Sequence, residues 1–217
     1  MSAPVDEGLE DRMRRSIHRL RAGCHDRLGI APTVPPPAST SAIDGAEAEL
    51  GRPIPAQLRV LYRVADGMHA YSFYLPPTRD LARSDQAAKQ YLHHLQPGGA
   101  YEAMTWGEPP SSPALATFTE DGGYLLLEES GPHEGHLTAL DAKVGQGYHW
   151  LAPSLVALLE AWALVAETGP IFMSTSAAGI RSPNADDDTP AIEEALRGHP
   201  CGPAAVAIFP DRPKDLQ

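Results

Sequence analysis

The chain has 217 residues, 42% of them apolar, which is enough for one medium domain with a real core and extensions. Acidic residues outnumber basic ones 28 to 17, and the formal net charge is −11. Such a surface repels phosphate backbones and anionic lipid, which argues against direct nucleic-acid or membrane binding; it speeds encounter with basic partners and also serves plain solubility.

Residues 6–28 read as an amphipathic helix, with Leu9, Met13, Ile17, Leu20, Cys24 and Leu28 at steps of three or four. Arg12, Arg14, Arg15, Arg19 and Arg21 then make a solvated face opposite a packed stripe, and Gly29 ends the helix. Pro32, Pro35, Pro36 and Pro37 mark residues 31–40 as an extended linker. Ser41, with Asp44 three residues on, resembles a capping box and opens a short helix through Ile43, Ala46, Glu47 and Leu50, stopped by Gly51. Arg52-Pro53-Ile54-Pro55 is a sharp joint, and Pro55 suits the first position of a second helix with Leu58, Leu61, Tyr62 and Ala65 inward. Asp66-Gly67 ends it.

Residues 71–75 suggest a strand, 80–96 a helix and 97–113 a loop-rich stretch. Strands are expected over 114–119, 124–128 and 136–140, joined by turns at Asp121-Gly122-Gly123 and 130–135, an antiparallel meander. Ser154 caps a closing helix whose stripe is Leu155, Leu158, Leu159, Trp162 and Val165, ended by Gly169-Pro170. Beyond residue 170 the pattern weakens. An acidic loop holds Asp186, Asp187 and Asp188, a short helix spans 190–197, and 204–209 suits a strand.

The opening Met-Ser-Ala-Pro-Val-Asp-Glu lacks the basic start and apolar run of a secretory signal, and Leu151–Ala166 is too short to span a bilayer. The expectation is a cytoplasmic protein with Cys24 and Cys201 as free thiols.

The residues that could carry chemistry have the wrong spacing. His93 and His94 are adjacent and diverge on a helix. His133-Glu134-Gly135-His136 has its histidines three apart where a helical zinc site needs four, and the three aspartates lack the alternating ligands of a calcium loop. No Gly-x-Ser-x-Gly elbow or phosphate-cradling loop is present, and Glu128 and Glu129 alternate across a strand. The expectation is therefore no catalytic residue, no metal and no cofactor.

The pattern Ile43…Glu47…Leu50-Gly51-x-x-Ile54-Pro55…Leu58…Leu61-Tyr62…Asp66-Gly67 resembles the opening of the SUKH superfamily, with Asp66 in place of the usual Asn. Phe118-Thr119-Glu120-Asp121-Gly122-Gly123-Tyr124-Leu125-Leu126-Leu127 looks like its central hairpin, and Trp150 before an amphipathic helix looks like its end. The superfamily includes cell-wall assembly regulators and bacterial toxin-immunity proteins. The resemblance implies an α+β fold, an antiparallel meander flanked by helices, and a non-catalytic module that binds a protein partner, often a toxin domain. The alternative is a regulatory or scaffold module with no toxin partner.

The expected organisation is an N-terminal helix (1–30), a Pro-rich linker (31–40), a SUKH-like domain (41–168) that folds without its flanks, and an irregular C-terminal extension (169–217). A basic partner is expected to meet an acidic patch of Glu120, Asp121, Glu128, Glu129 and Glu134 on the hairpin. Alternation there buries Leu125 and Leu127 and leaves Leu126 and Glu128 on the other face.

Overall fold

A computed structural model describes residues 7–70, 73–95, 114–118, 124–129, 133–140, 148–173, 180–181, 185–202 and 205–206. In chain order the elements are α1 (Glu7–Leu28), α2 (Thr40–Leu50), α3 (Ala56–Val64), β1 (Met68–Ala70), β2 (Phe73–Leu75), α4 (Thr78–Leu95), β3 (Ala114–Phe118), β4 (Tyr124–Leu127), β5 (Leu137–Leu140), β6 (Tyr148–Ala152), α5 (Leu155–Thr168), β7 (Phe172–Met173), β8 (Ile180–Arg181) and α6 (Ala185–Ala195). Strands β1 to β6 pair antiparallel in sequence order as one meander, and β7 pairs with β8 alone. The fold is α+β, as the sequence predicts.

Helix α5 is buried on every side, from Leu155 through Leu158, Leu159 and Trp162 to Ala166. A helix that is apolar all round belongs in the middle of a core. Ser154 caps it, its Oγ accepting the Ala157 N–H at 3.1 Å. Helix α1 lies along α5 with Met13, Ile17, Leu20 and Cys24 turned inward, a 4-3-4 spacing that keeps one seam facing its neighbour. Two forks flank the seam. Arg12 grips Glu160 through two bonds of 3.0 Å, and Arg19 grips Glu167 through bonds of 2.7 and 2.5 Å. Both pairs advance by seven residues in the same direction, so the helices run parallel. Arg27 donates to the Val165 and Ala166 carbonyls at 3.3 and 3.0 Å, which satisfies the C-terminal end of α5. Gly23 permits the close approach: a Cβ there would lie 2.9 Å from the Ala166 carbonyl carbon and oxygen.

Met13, Ile17 and Leu20 each bring roughly 1.5–3 kcal/mol of gross transfer energy by burial. That sum is comparable with the whole net stability of a domain, about 5–15 kcal/mol. Ile192, Leu196, Cys201, Ala205 and Val206 join the same core, and the Trp162 indole N–H donates to the Ala205 carbonyl at 2.7 Å. A cut at 40 and 168, the bounds expected for the domain, runs through this core, to which described residues from both flanks contribute. The linker is extended but strapped down: Ala38 N–H donates to Tyr62 O at 2.8 Å, Asp66 N–H to Pro36 O at 3.0 Å and His69 N–H to Thr33 O at 2.9 Å.

Several local expectations shift. Ser39, not Ser41, caps α2, its Oγ accepting the Ala42 N–H at 3.1 Å. Pro55 stands at the cap of α3 and Ala56 at its first position. The early sheet is a hairpin of β1 and β2 in place of one strand. Strand β6 occupies the stretch read as a link after Trp150. The three aspartates open α6 in place of forming a loop, where negative charge suits the helix N-terminus. Ala205 and Val206 lie in a tight turn, closed by Ala205 N–H to Gly202 O at 3.1 Å, and not in a strand. Leu126 is fully buried, so β4 is covered on both faces. Helix α4 packs against β3 and α2, and its Ala88 and Leu92 are buried outside the main core cluster together with Leu126. One-sided alternation fails here because α4 supplies a second apolar layer. Among the described residues no helix is long and apolar enough to cross a membrane.

Candidate functional site

The joint between α2 and α3 forms one wall of a cleft. Pro53 and Pro55 fix φ and carry no N–H. The N–H of Ile54 between them donates to Glu47 Oε1 at 2.8 Å, and Glu47 also pairs with Arg59. Burial alone would raise the Glu47 carboxyl, but the Arg59 hydrogen bond, the Ile54 N–H and the Arg59 charge outweigh it and hold it below its ordinary value. Glu47 thus staples the joint to α2 and α3.

The opposite wall is the end of β4 and the turn that follows. Glu128 N–H donates to His136 O at 2.8 Å and Gly135 N–H to Glu128 O at 2.7 Å, which closes the hairpin. Gly135 has φ +84°, and a Cβ there would sit 2.5 Å from Gln57 Nε2. A side chain at 135 therefore meets both backbone strain and a clash. Gln57 ties three elements: its Nε2 donates to Gly135 O at 3.4 Å and its Oε1 accepts the Leu155 N–H at 2.7 Å, a free donor of the first turn of α5.

Between the walls lies a cleft of about 520 Å³, lined by residues 52–57, 127–129, 134 and 135. Its floor and sides carry Pro53, Ile54, Pro55 and Leu127; its charged groups are three carboxylates, Glu128, Glu129 and Glu134, against one guanidinium, Arg52. Arg52 pairs with Glu129 and, at 3.1 Å, with Asp85, while Lys89 meets the other Asp85 oxygen at 2.7 Å. Asp85 is 5% exposed, so its charge needs both cations. Glu128 and Glu134 make no ion pair among the described residues and give the cleft an acidic rim.

Three of the five residues singled out from the sequence converge here. Glu128 and Glu129 were expected on opposite faces, but β4 ends at Leu127 and both line the same cleft. Glu129 is neutralised by Arg52, which leaves Glu128 and Glu134 as the open pair. Glu120 and Asp121 lie outside the described residues, as does the turn through Gly123. Arg52, Gln57 and Asp85 escaped the sequence reading. Arg52 carries a weak signal, a lone cation between Gly51 and Pro53; Gln57 and Asp85 carry none.

The remaining chemical candidates do not assemble. Among the described residues no three His, Cys, Asp or Glu side chains come close enough to hold a metal, and the His133 and His136 rings lie 5.1 Å apart between centroids. Burial pushes Cys24 up to about 11 and Cys201 up to about 12, so both thiols stay protonated and weakly nucleophilic. A second hollow of about 250 Å³ lies between the linker and β1–β2, beside Thr33, Asp66, His69 and Tyr74. Burial lowers the His69 imidazole, and its Nε2 finds no hydrogen-bond partner among the described residues. A scan against protein-family models finds no match, and a search of curated proteins finds none either.

Proposed function

We propose that this chain is a non-catalytic protein-binding module of the toxin-immunity kind, which captures a basic partner, a toxin domain, in the cleft between the proline joint and the β4–β5 hairpin. The observation that carries the reading is the convergence of Glu128, Glu129 and Glu134 on one apolar-walled cleft whose only cation, among the lining residues, is already engaged. An apolar floor with an acidic rim suits a partner segment that presents lysine or arginine beside an apolar side chain. The rim is pre-placed, because Gln57, Glu47 and Gly135 fix both walls. The net charge of −11 adds long-range attraction to a basic domain. The resemblance to SUKH proteins in the residues of the joint points to the same class of partner.

The test is co-expression with the toxin candidate encoded by a neighbouring gene. The expected outcome is survival of the host and a complex whose association slows as salt rises, since exposed charges are screened over about 10 Å at 0.1 M. Glu128→Lys with Glu134→Lys should slow association roughly tenfold at low salt. A toxin that still kills, with no complex at low salt, refutes the immunity reading; a complex indifferent to the double variant refutes the cleft.

A further inference from the structure

One histidine braces the C-terminal part of the core. The Cys201 backbone N–H donates to His199 Nδ1 at 3.2 Å. Because Nδ1 accepts, the neutral ring carries its proton on Nε2. That nitrogen is buried, has no hydrogen-bond partner among the described residues and stands 3.9 Å from Glu160 Oε2. The Glu160 carboxylate also takes both arms of the Arg12 fork at 3.0 Å each, so its charge is shared between Arg12 and the ring. The His199 side chain is 11% exposed.

A second proton on this ring can go only to Nδ1. There it points at the Cys201 N–H, donor against donor. The imidazolium and the Cys201 hydrogen bond exclude each other. Ala205 and Val206, four and five positions after Cys201, are both fully buried, and Ala205 holds the Trp162 indole through its carbonyl. Among the described residues, the charged and titratable groups beside the ring are Glu160 from α5, which Arg12 from α1 also holds, and the Cys201 thiol two positions on; the exposed Glu194–Arg197 pair precedes His199 in the chain.

We infer that His199, Cys201, Ala205 and Val206 form an acid-released latch: protonation of His199 breaks its bond to Cys201 and lifts these residues off the surface of α5 around Trp162. Burial lowers the His199 imidazole, and the Glu160 charge opposes this only in part. The released ring titrates near 6.5, so the latch is fully held above that pH and loosens as pH falls through the lower value of the closed state. What is uncovered is an apolar strip of α5 around Trp162 and the Cys201 thiol, a conditional surface built from none of the cleft residues.

The two cysteines provide the readout. Each is labelled with 4,4′-dithiodipyridine, which forms a mixed disulfide with the thiol and releases 4-thiopyridone. Mass mapping separates Cys201 from Cys24, which sits in α1 and reports global opening. Rates are taken relative to the unfolded chain at the same pH. Between about pH 7.5 and about pH 5.5 the relative rate at Cys201 should rise on the order of tenfold while Cys24 stays protected and the helical circular dichroism holds. His199→Asn keeps an acceptor at the Nδ1 position without titrating, and should stay slow at both pH values. His199→Leu should be fast at both; should that variant not fold, the asparagine variant decides. The latch is overturned by Cys201 remaining protected at the lower pH, by both thiols opening together, or by an undiminished pH response in His199→Asn, which would move the effect to another group such as His69.

Discussion

The same contact, an arginine against a glutamate, serves two regions of this molecule differently. Along α1 and α5, Arg12–Glu160 and Arg19–Glu167 flank a dry seam of Met13, Ile17, Leu20 and Cys24. In the cleft, Arg52–Glu129 lies at the edge of an open hollow, with Glu128 and Glu134 left toward solvent. Charge in the first region sets the register of two helices whose association is driven by apolar burial. Charge in the second is the exposed feature, and the burial beneath it only holds it still. Stability should follow the seam, and recognition the rim.

The largest effect expected from that contrast comes from removing the seam. A fragment of residues 41–168 loses α1 and the segment that seats Ala205 on Trp162, and should show no cooperative unfolding transition by circular dichroism. A fragment with the melting curve of the whole chain would show that α1 is an appendage after all. Next comes Leu159→Ala, in the fully buried middle of α5, which should lower stability by roughly 2–5 kcal/mol in denaturant titrations. Gly23→Ala tests the close approach itself. Its new methyl would press on the backbone of Ala166, which cannot rotate away, and a loss of about 1–3 kcal/mol is expected. A neutral result there would mean that the helices sit farther apart. Arg19→Gln, by contrast, should change stability by no more than about 1 kcal/mol, because the pair is part-exposed and screened.

The seam was the more legible region. Its helices carry a sustained apolar period, and the Ser154 cap and the Gly29 stop mark their ends with chemistry that acts within one turn. What periodicity could not show is that the two helices, about 150 positions apart, face each other: the arginine face read as solvated turns two of its members, Arg12 and Arg19, onto α5, and Arg27 joins them. The cleft was legible only in its pieces. The proline joint and the hairpin carboxylates are local signals, but their juxtaposition depends on Gln57 and Arg52, whose partners lie 78 and 77 positions away. Leu126 misled because alternation reports one buried face, and here the other is buried as well, with α4 packed on the neighbouring strand β3. Strand β6 escaped because its stretch reads equally as a link into α5.

The most direct measurement of the central claim is hydrogen–deuterium exchange on the chain, free and in complex with a toxin domain of the kind proposed as its partner. The account requires new protection in peptides carrying residues 54–57, 127–129 and 133–135, with little change along α1, and loss of that protection at low salt in the Glu128→Lys, Glu134→Lys variant whose own stability is unchanged within about 0.5 kcal/mol. Protection centred on α1 or α6, unaffected by reversing the two charges, would place the partner elsewhere and contradict it.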